Sequence, residues 1–254
     1  MIETNKRVAV VILNWNGLKM LQTFLESVVL HTNDKLAEIV IADNGSTDGS
    51  LGWAKMQYPE LKYIELYDNF GFAKGYNMAI NQISCEYTVL LNSDVEVTPN
   101  WLEPLIDYLD KHSDVGGVQP KIKAYKQKNL FEYAGASGGF IDRFGYPFCR
   151  GRIIDTVEQD NGQYDNAVSI MWATGACLVV RTELYRLANG LDEHFFAHME
   201  EIDFCWRIKN MGYQLMAIPQ SSVYHLGGGT LPSSSPRKLY LNYRNNLLLL
   251  HKNL

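Results

Sequence analysis

The sequence predicts an α/β protein: a mostly parallel sheet flanked by helices, followed by a smaller, less regular region and an amphipathic C-terminal helix. Two observations carry this. Arg7 to Leu13 and Glu38 to Ala42 are near-continuous runs of β-branched and other apolar residues, the pattern of strands buried on both faces. Between them, apolar residues recur at Leu18, Leu21, Phe24, Leu25, Val28 and Val29, a helical period. Strand, helix and strand with short connections form a βαβ unit, which requires parallel strands and a right-handed crossover. A third observation concerns function. The buried runs end in polar clusters, and in open α/β sheets ligands bind at the carboxyl ends of the strands.

The first strand ends at Asn14-Trp15-Asn16-Gly17 and the second at Asp43-Asn44-Gly45-Ser46-Thr47-Asp48-Gly49-Ser50, which leads into a helix over 51–57. A carboxylate at Asp43 suits a ribose diol or a base edge, or it serves an Asx-turn or helix N-cap. Tyr63 to Leu66 reads as a short strand. Asp68 to Asn77 is a glycine-punctuated loop entering a helix that continues through Ala79, Ile80 and Ile83. Backbone amides, a helix start and Lys74 together can hold a phosphate, although the P-loop spacing is absent and a lysine in such a loop is more often a solvated side chain than a ligand.

Cys85 to Leu91 is another buried strand, closing on Asn92-Ser93-Asp94. Asp94 either caps a turn or presents a charge at the sheet edge, where oxygen donors suit Mg²⁺ or Mn²⁺ with a phosphate. A helix is expected to start at Pro99 and run to His112, then a strand over 115–120. Residues 121–165 are rich in glycine and aromatics and read as extended or hairpin structure forming an acceptor-side wall. In Ile170 to Arg181, Thr174-Gly175-Ala176 kinks two apolar pieces, and Gly175 permits close backbone approach. Trp172 is either a sugar-stacking platform or core.

Glu200, Glu201 and Asp203 crowd the first turn of a helix whose apolar side is expected to hold Ile202, Trp206 and Met211. Acidic residues favour helix starts, yet mutual repulsion and desolvation beside Phe195 and Phe196 would raise a pKa and suit one of them to proton transfer. After a strand over 213–219, His225 precedes Gly227-Gly228-Gly229. A histidine here is structural, or it completes a metal site with Asp94. The C-terminal helix groups Tyr240, Tyr243, Leu247, Leu248 and Leu250 with Arg237, Lys238, Arg244 and Lys252. That is an interfacial or partner-packing pattern, and it ends without a capping signal, as a truncated chain would.

Composition limits the alternatives. The chain has 254 residues, 46% of them hydrophobic, and a net charge of −5, so it can bury a full core and lacks the basic balance of a general nucleic-acid binder. No apolar run approaches the roughly 18 residues of a membrane span, and no secretion signal is expected. The four cysteines have no CxxC spacing, which predicts free thiols in a reducing, cytoplasmic setting.

In order along the chain, these landmarks resemble a family 2 glycosyltransferase of the GT-A type, with its Rossmann-like sheet. They are Asn14 to Gly17, Asp43 to Ser50, Asn69 to Asn77, Asn92 to Asp94, Thr174 to Ala176, Phe196 to Arg207, and Tyr224 to Gly228. Bacterial rhamnosyltransferase-like enzymes of surface polysaccharide assembly look most similar. The resemblance implies one catalytic domain over 1–229, donor-binding over 1–120 and acceptor-binding over 121–229, with a helical extension over 230–254. It implies that Asn14, Asn16, Asp43, Lys74, Asn77, Asn92, Ser93 and Asp94 bind a nucleoside-diphosphate sugar. Trp172, Thr174 and Gly175 would then meet a glycan or polyprenyl-linked acceptor. Asp94 and His225 would hold a divalent cation, Mn²⁺ or Mg²⁺. Glu201, with Glu200 as the alternative, would be the base of an inverting transfer.

Two departures stand out: Asn92 occupies the first aspartate of the usual Asp-x-Asp motif, and Glu201 replaces a shorter aspartate. Peripheral contact with the inner face of the membrane and a homodimer are the further partners expected; nucleic acid is not. Thymidine-diphosphate rhamnose or a uridine-diphosphate sugar is the expected donor. A non-catalytic nucleotide-sugar-binding protein and a sugar nucleotidyltransferase are the competing classes.

Overall fold

The apolar runs form strands and the amphipathic stretches form helices, in this order: β1 (Val8–Asn14), α1 (Leu18–His31), β2 (Ala37–Asp43), α2 (Ser50–Gln57), β3 (Lys62–Glu65), α3 (Gly71–Ile80), β4 (Tyr87–Asn92), β5 (Val95–Val97), α4 (Glu103–Lys111) and β6 (Val115–Ala124). The second half adds β7 (Gly139–Ile141), β8 (Pro147–Cys149), β9 (Arg152–Ile153), β10 (Thr156–Val157), β11 (Val168–Ile170), β12 (Cys177–Arg181), α5 (Thr182–Leu187), α6 (Glu200–Asn210), β13 (Gln214–His225) and α7 (Pro236–Asn253). The structure is a computed structural model that describes residues 6–227 and 236–254. Gly228 and Gly229 of the expected glycine run, and the side chains of Arg237 and Lys238, lie outside the described residues.

One nine-stranded sheet runs β11-β13-β6-β12-β4-β1-β2-β3, with β5 paired to β13. The β4-β1-β2-β3 part is parallel, as the βαβ signal requires. Beyond it the sheet becomes mixed, because β12 enters antiparallel to both β4 and β6 while β13 returns parallel to β6. The expected residue-120 boundary falls inside β6, so the residues on its two sides share one sheet.

Alternation along β1 sets the layers. Val8, Val10 and Ile12 face α1 and α4, packing with Leu21, Leu25, Leu105 and Leu109. Ala9 and Val11 face the opposite layer, where α3 supplies Ala73, Tyr76 and Ile80 and α6 supplies Phe204, Cys205 and Ile208. The four cysteines are buried free thiols. Among the described residues no helix is long and apolar enough to cross a membrane.

Two local expectations are corrected. The helix after Asp94 begins at Glu103, not Pro99, with Pro104 in its first turn. Asn100 adopts a left-handed φ of 58° that stops an earlier start, and Trp101 and Leu102 plug the core instead. In α6 the buried side is Ile202, Phe204, Cys205 and Ile208, while Met211 lies past the helix end. In α7 the residues turned inward are Leu241, Asn245 and Leu249; Tyr240, Tyr243, Leu247 and Leu248 are exposed.

Candidate active site

Several segments meet at the carboxyl edge of the parallel strands. Asn14 and Asp43 end adjacent strands in register. The Asn14 amide donates to Asp43 Oδ1 (2.8 Å), Ser46 Oγ (3.0 Å) and Ser50 Oγ (2.9 Å), and the Ser46 amide donates to Asp43 Oδ2 (3.0 Å). Asp43 is therefore both a turn former and a buried acceptor, while Asn14 Oδ1 is enclosed without a hydrogen-bond partner. Gly45 is required here: its φ is +76°, and a Cβ would lie 2.7 Å from the Asp68 backbone. Asn16 accepts from the Thr47 amide (2.8 Å) and so pins the second loop to the first. Asn44 joins the next segment, accepting from Phe70 N and donating to Gly71 O (3.1 and 3.0 Å).

The Asn92-Ser93-Asp94 turn follows β4. Asn92 N donates to Ala176 O (3.0 Å), which fixes the Thr174-Gly175-Ala176 turn beside it. Asp94 is buried, and its Oδ1 lies 3.1 Å from His225 Nε2. The antiparallel pairing of β5 with β13 makes this contact, since His225 stands opposite Val95. Glu132, which the sequence did not single out, approaches the other ring nitrogen, with Oε1 3.5 Å from Nδ1. Burial opposes charge on His225, but the two neighbouring carboxylates of Asp94 and Glu132 prevail and raise its pKa to about 10. Burial likewise works against the Asp94 carboxylate, yet the bond to His225 holds its pKa below the usual range.

Glu201 completes the set. Its Cβ lies 3.8 Å from a Cβ built on Gly175, and the same Gly175 is touched by Phe72 of α3. Glu200 and Glu201 each have a carboxylate oxygen buried without a partner. Burial, and for Glu200 also the charge of Glu201, drives Glu200 well above the glutamate range and raises Glu201. Phe196 rests on Gly71 at the start of α3, 3.6 Å from a Cβ there. The loop before the acidic pair thus touches the start of α3.

Other expected site residues have different surroundings. Trp172 is 6% exposed, its ring N–H donates to Phe140 O (2.8 Å), and Gly139 stacks on its face. No open stacking face remains, so Trp172 is core. Thr174 is buried, with its amide donating to Gln119 Oε1 (3.0 Å) and its hydroxyl accepting from Ala176 N. Asn77 spends its amide on Leu191, accepting from Leu191 N and Tyr185 OH and donating to Leu191 O. It therefore ties α3 to the acidic segment. Lys74 lies over the Phe70 ring, 5.0 Å from the centroid.

Among the described residues no group of three or more His, Cys, Asp or Glu is arranged to hold a metal by itself. Asp94 and His225 nevertheless fit a divalent cation. One carboxylate and one histidine side by side, with His225 Nδ1 lacking a hydrogen-bond partner, form a partial set that a cation would complete with phosphate oxygens and water, on release of the imidazolium proton.

The architecture is that of GT-A glycosyltransferases. GalNAc-T7, solved with UDP, GalNAc and Mn²⁺, superposes at a TM-score of 0.72 over 98% of this chain and 48% of its own, at 18% identity. A Pyrobaculum calidifontis mannosyltransferase in complex with GDP-Man and Mn²⁺ gives 0.63 over 89% of this chain and 59% of its own, at 16% identity. The chain thus spans about half the length of these solved structures. Residues 9–164 match Glycosyl transferase family 2, and the chain belongs to that family. Its relatives include the N-acetylglucosaminyl-diphospho-decaprenol L-rhamnosyltransferase of Mycobacterium tuberculosis, 25% identical over 81% of this chain and 71% of that protein. The dTDP-rhamnosyl transferase RfbF of Shigella flexneri is 24% identical over 90% and 76%.

Proposed function

We propose that this protein is an inverting glycosyltransferase that moves a sugar, with rhamnose from thymidine diphosphate as the leading candidate, onto a hydroxyl of a glycan or lipid-linked acceptor in surface polysaccharide synthesis. The observation that carries this is the placement of Glu201 against the Gly175 turn, which is itself bonded to Asn92, two residues before the Asp94–His225 pair. A proton acceptor and an anion-handling pair thus share one rim. The names of the relatives support the rhamnosyl donor and the polyprenyl diphosphate acceptor.

In this reading residues 1–120 bind the donor and 121–229 the acceptor, and the residues from 230 onward are an extension that carries α7. Asp43 and the Asn14–Asn16 loop receive the nucleoside, with Lys74 and Ser93 toward the diphosphate. Asp94 and His225 would hold Mn²⁺ or Mg²⁺, which supplies charge neutralisation for the departing diphosphate. Glu201 accepts the proton of the acceptor hydroxyl as that oxygen attacks the anomeric carbon, and a single displacement inverts the centre. Positioned general-base help of this kind is worth roughly 10²–10⁴ in rate. A raised pKa brings Glu201 closer to that of its proton donor, and Glu200, more strongly raised, serves as its neutral neighbour. The exposed Tyr240, Tyr243 and Leu247 of α7 supply the surface for peripheral membrane contact.

Product analysis tests the reading. dTDP released from dTDP-rhamnose together with a rhamnosylated N-acetylglucosaminyl diphosphate lipid supports it; pyrophosphate release from a sugar phosphate and a nucleoside triphosphate would replace it with nucleotidyl transfer.

A further inference from the structure

The segment that delivers the acidic pair has an unusual backbone. Phe196, His198 and Met199 have φ values of 66°, 70° and 74°, a region that side chains other than glycine rarely enter. Three such residues within four positions persist only when surrounding groups over-determine them, and here those groups come from α7.

Asn245 is fully buried. Its side-chain nitrogen faces three main-chain carbonyls of that segment: Phe195 (3.0 Å), Ala197 (2.9 Å) and His198 (2.7 Å). Three acceptors around one end of an amide fix which end is nitrogen. The other end is held too, since Asn245 Oδ1 accepts from Arg244 Nε (2.8 Å). Arg244 also donates to the carbonyls of His194 and Phe195, both at 3.0 Å. Downstream, Lys252 bridges Asp192 (2.6 Å) and Asp203 (2.9 Å), and Asn253 donates to Asp203 (3.0 Å). α7 therefore clamps the chain on both sides of Glu200 and Glu201.

We infer that Asn245 is a positioning residue for the base: by collecting the carbonyls of 195, 197 and 198 it holds the left-handed turn that sets Glu201 against Gly175. The inference rests on the reading that Glu201 takes the acceptor's proton. A hydrophobic residue there would pack α7 equally well but could donate to none of these carbonyls. This explains a buried asparagine between Leu241 and Leu249 on the inward face of the helix.

The test compares Asn245→Ala with Leu249→Ala, which loosens the same helix through packing alone, at temperatures set equally far below each melting point. Hydrogen exchange is read at the amides of 196–202, and kcat and KM are read with dTDP-rhamnose and the N-acetylglucosaminyl diphosphate lipid. Asn245→Ala is expected to speed exchange at 196–202 at least 10-fold. It is also expected to lower kcat by 10- to 100-fold with the donor KM within about twofold, while Leu249→Ala does neither. Unchanged exchange at 196–202 in Asn245→Ala, or equal acceleration in both variants, would overturn the inference. So would a kcat that falls no further in Asn245→Ala than in Leu249→Ala. Glu201→Gln in the same assay keeps the two claims apart: wild-type turnover in that variant removes the base reading, whereas the exchange comparison judges the clamp on its own.

Discussion

Asp94 Oδ1 and His225 Nε2 lie 3.1 Å apart, brought together by the short strand β5 that runs antiparallel to β13. The turn after β4 and the end of the last strand are thereby fused into one corner of the sheet edge. A carboxylate beside an imidazole can share a proton or a cation.

Asp94→Ala is expected to remove the Mn²⁺-dependent part of dTDP binding. Calorimetry with and without Mn²⁺ checks this: in the wild type the cation strengthens binding, and in the variant the two affinities coincide. The same increment in both proteins would take Asp94 out of the metal site.

Glu200 gives the clearest pH effect. Its folded-state pKa is raised well above the ordinary value by burial and by Glu201, so the native state binds more protons than the unfolded one between those two values. Stability contributed by protonated Glu200 is full below the unfolded pKa, near 4.3, and is lost as pH rises toward the folded value. Glu200→Gln removes that loss. Its melting temperature is expected to exceed that of the wild type at pH 8 by about 2–4 °C per kcal/mol regained, with the gap closing toward pH 4. A gap independent of pH would show that Glu200 is not the titrating group.

Trp172→Phe tests the reassignment of that ring to the core. Losing the bond to Phe140 O is expected to destabilise the fold by about 1 kcal/mol or somewhat more. Acceptor KM should stay within about twofold, measured alongside thermal melts. A large rise in acceptor KM at unchanged stability would restore Trp172 to the acceptor site.

Much of this was legible in the sequence because two-sided burial writes itself as unbroken apolar runs. The strands from Val8, Ala37 and Tyr87 and their polar ends were readable in that way. Asp94 and His225 stood out as titratable groups beside such runs, and Glu201 as one of three carboxylates crowding the start of a helix. What local sequence could not carry was contact between distant segments. Glu132 reaches His225 only because its segment folds back onto Ile122 of β6 and β6 pairs with β13, and Asn245 reaches the acidic turn only because α7 docks there. An asparagine within a leucine-rich helix signals nothing until its three carbonyl partners are in place. Trp172 and Asn77 erred the other way: each is a residue type common in binding sites, but here each is used up by internal partners. Pro99 misled because a left-handed Asn100 follows it, and nothing nearby in the sequence announces that conformation.

Everything central to the proposed chemistry meets at the Glu201 carboxylate. Glu201→Gln preserves shape and removes basicity, so dTDP affinity should remain within about twofold of wild type while transfer from dTDP-rhamnose falls by at least about 10². Product formation at the wild-type rate in that variant, with binding unchanged, would contradict the account.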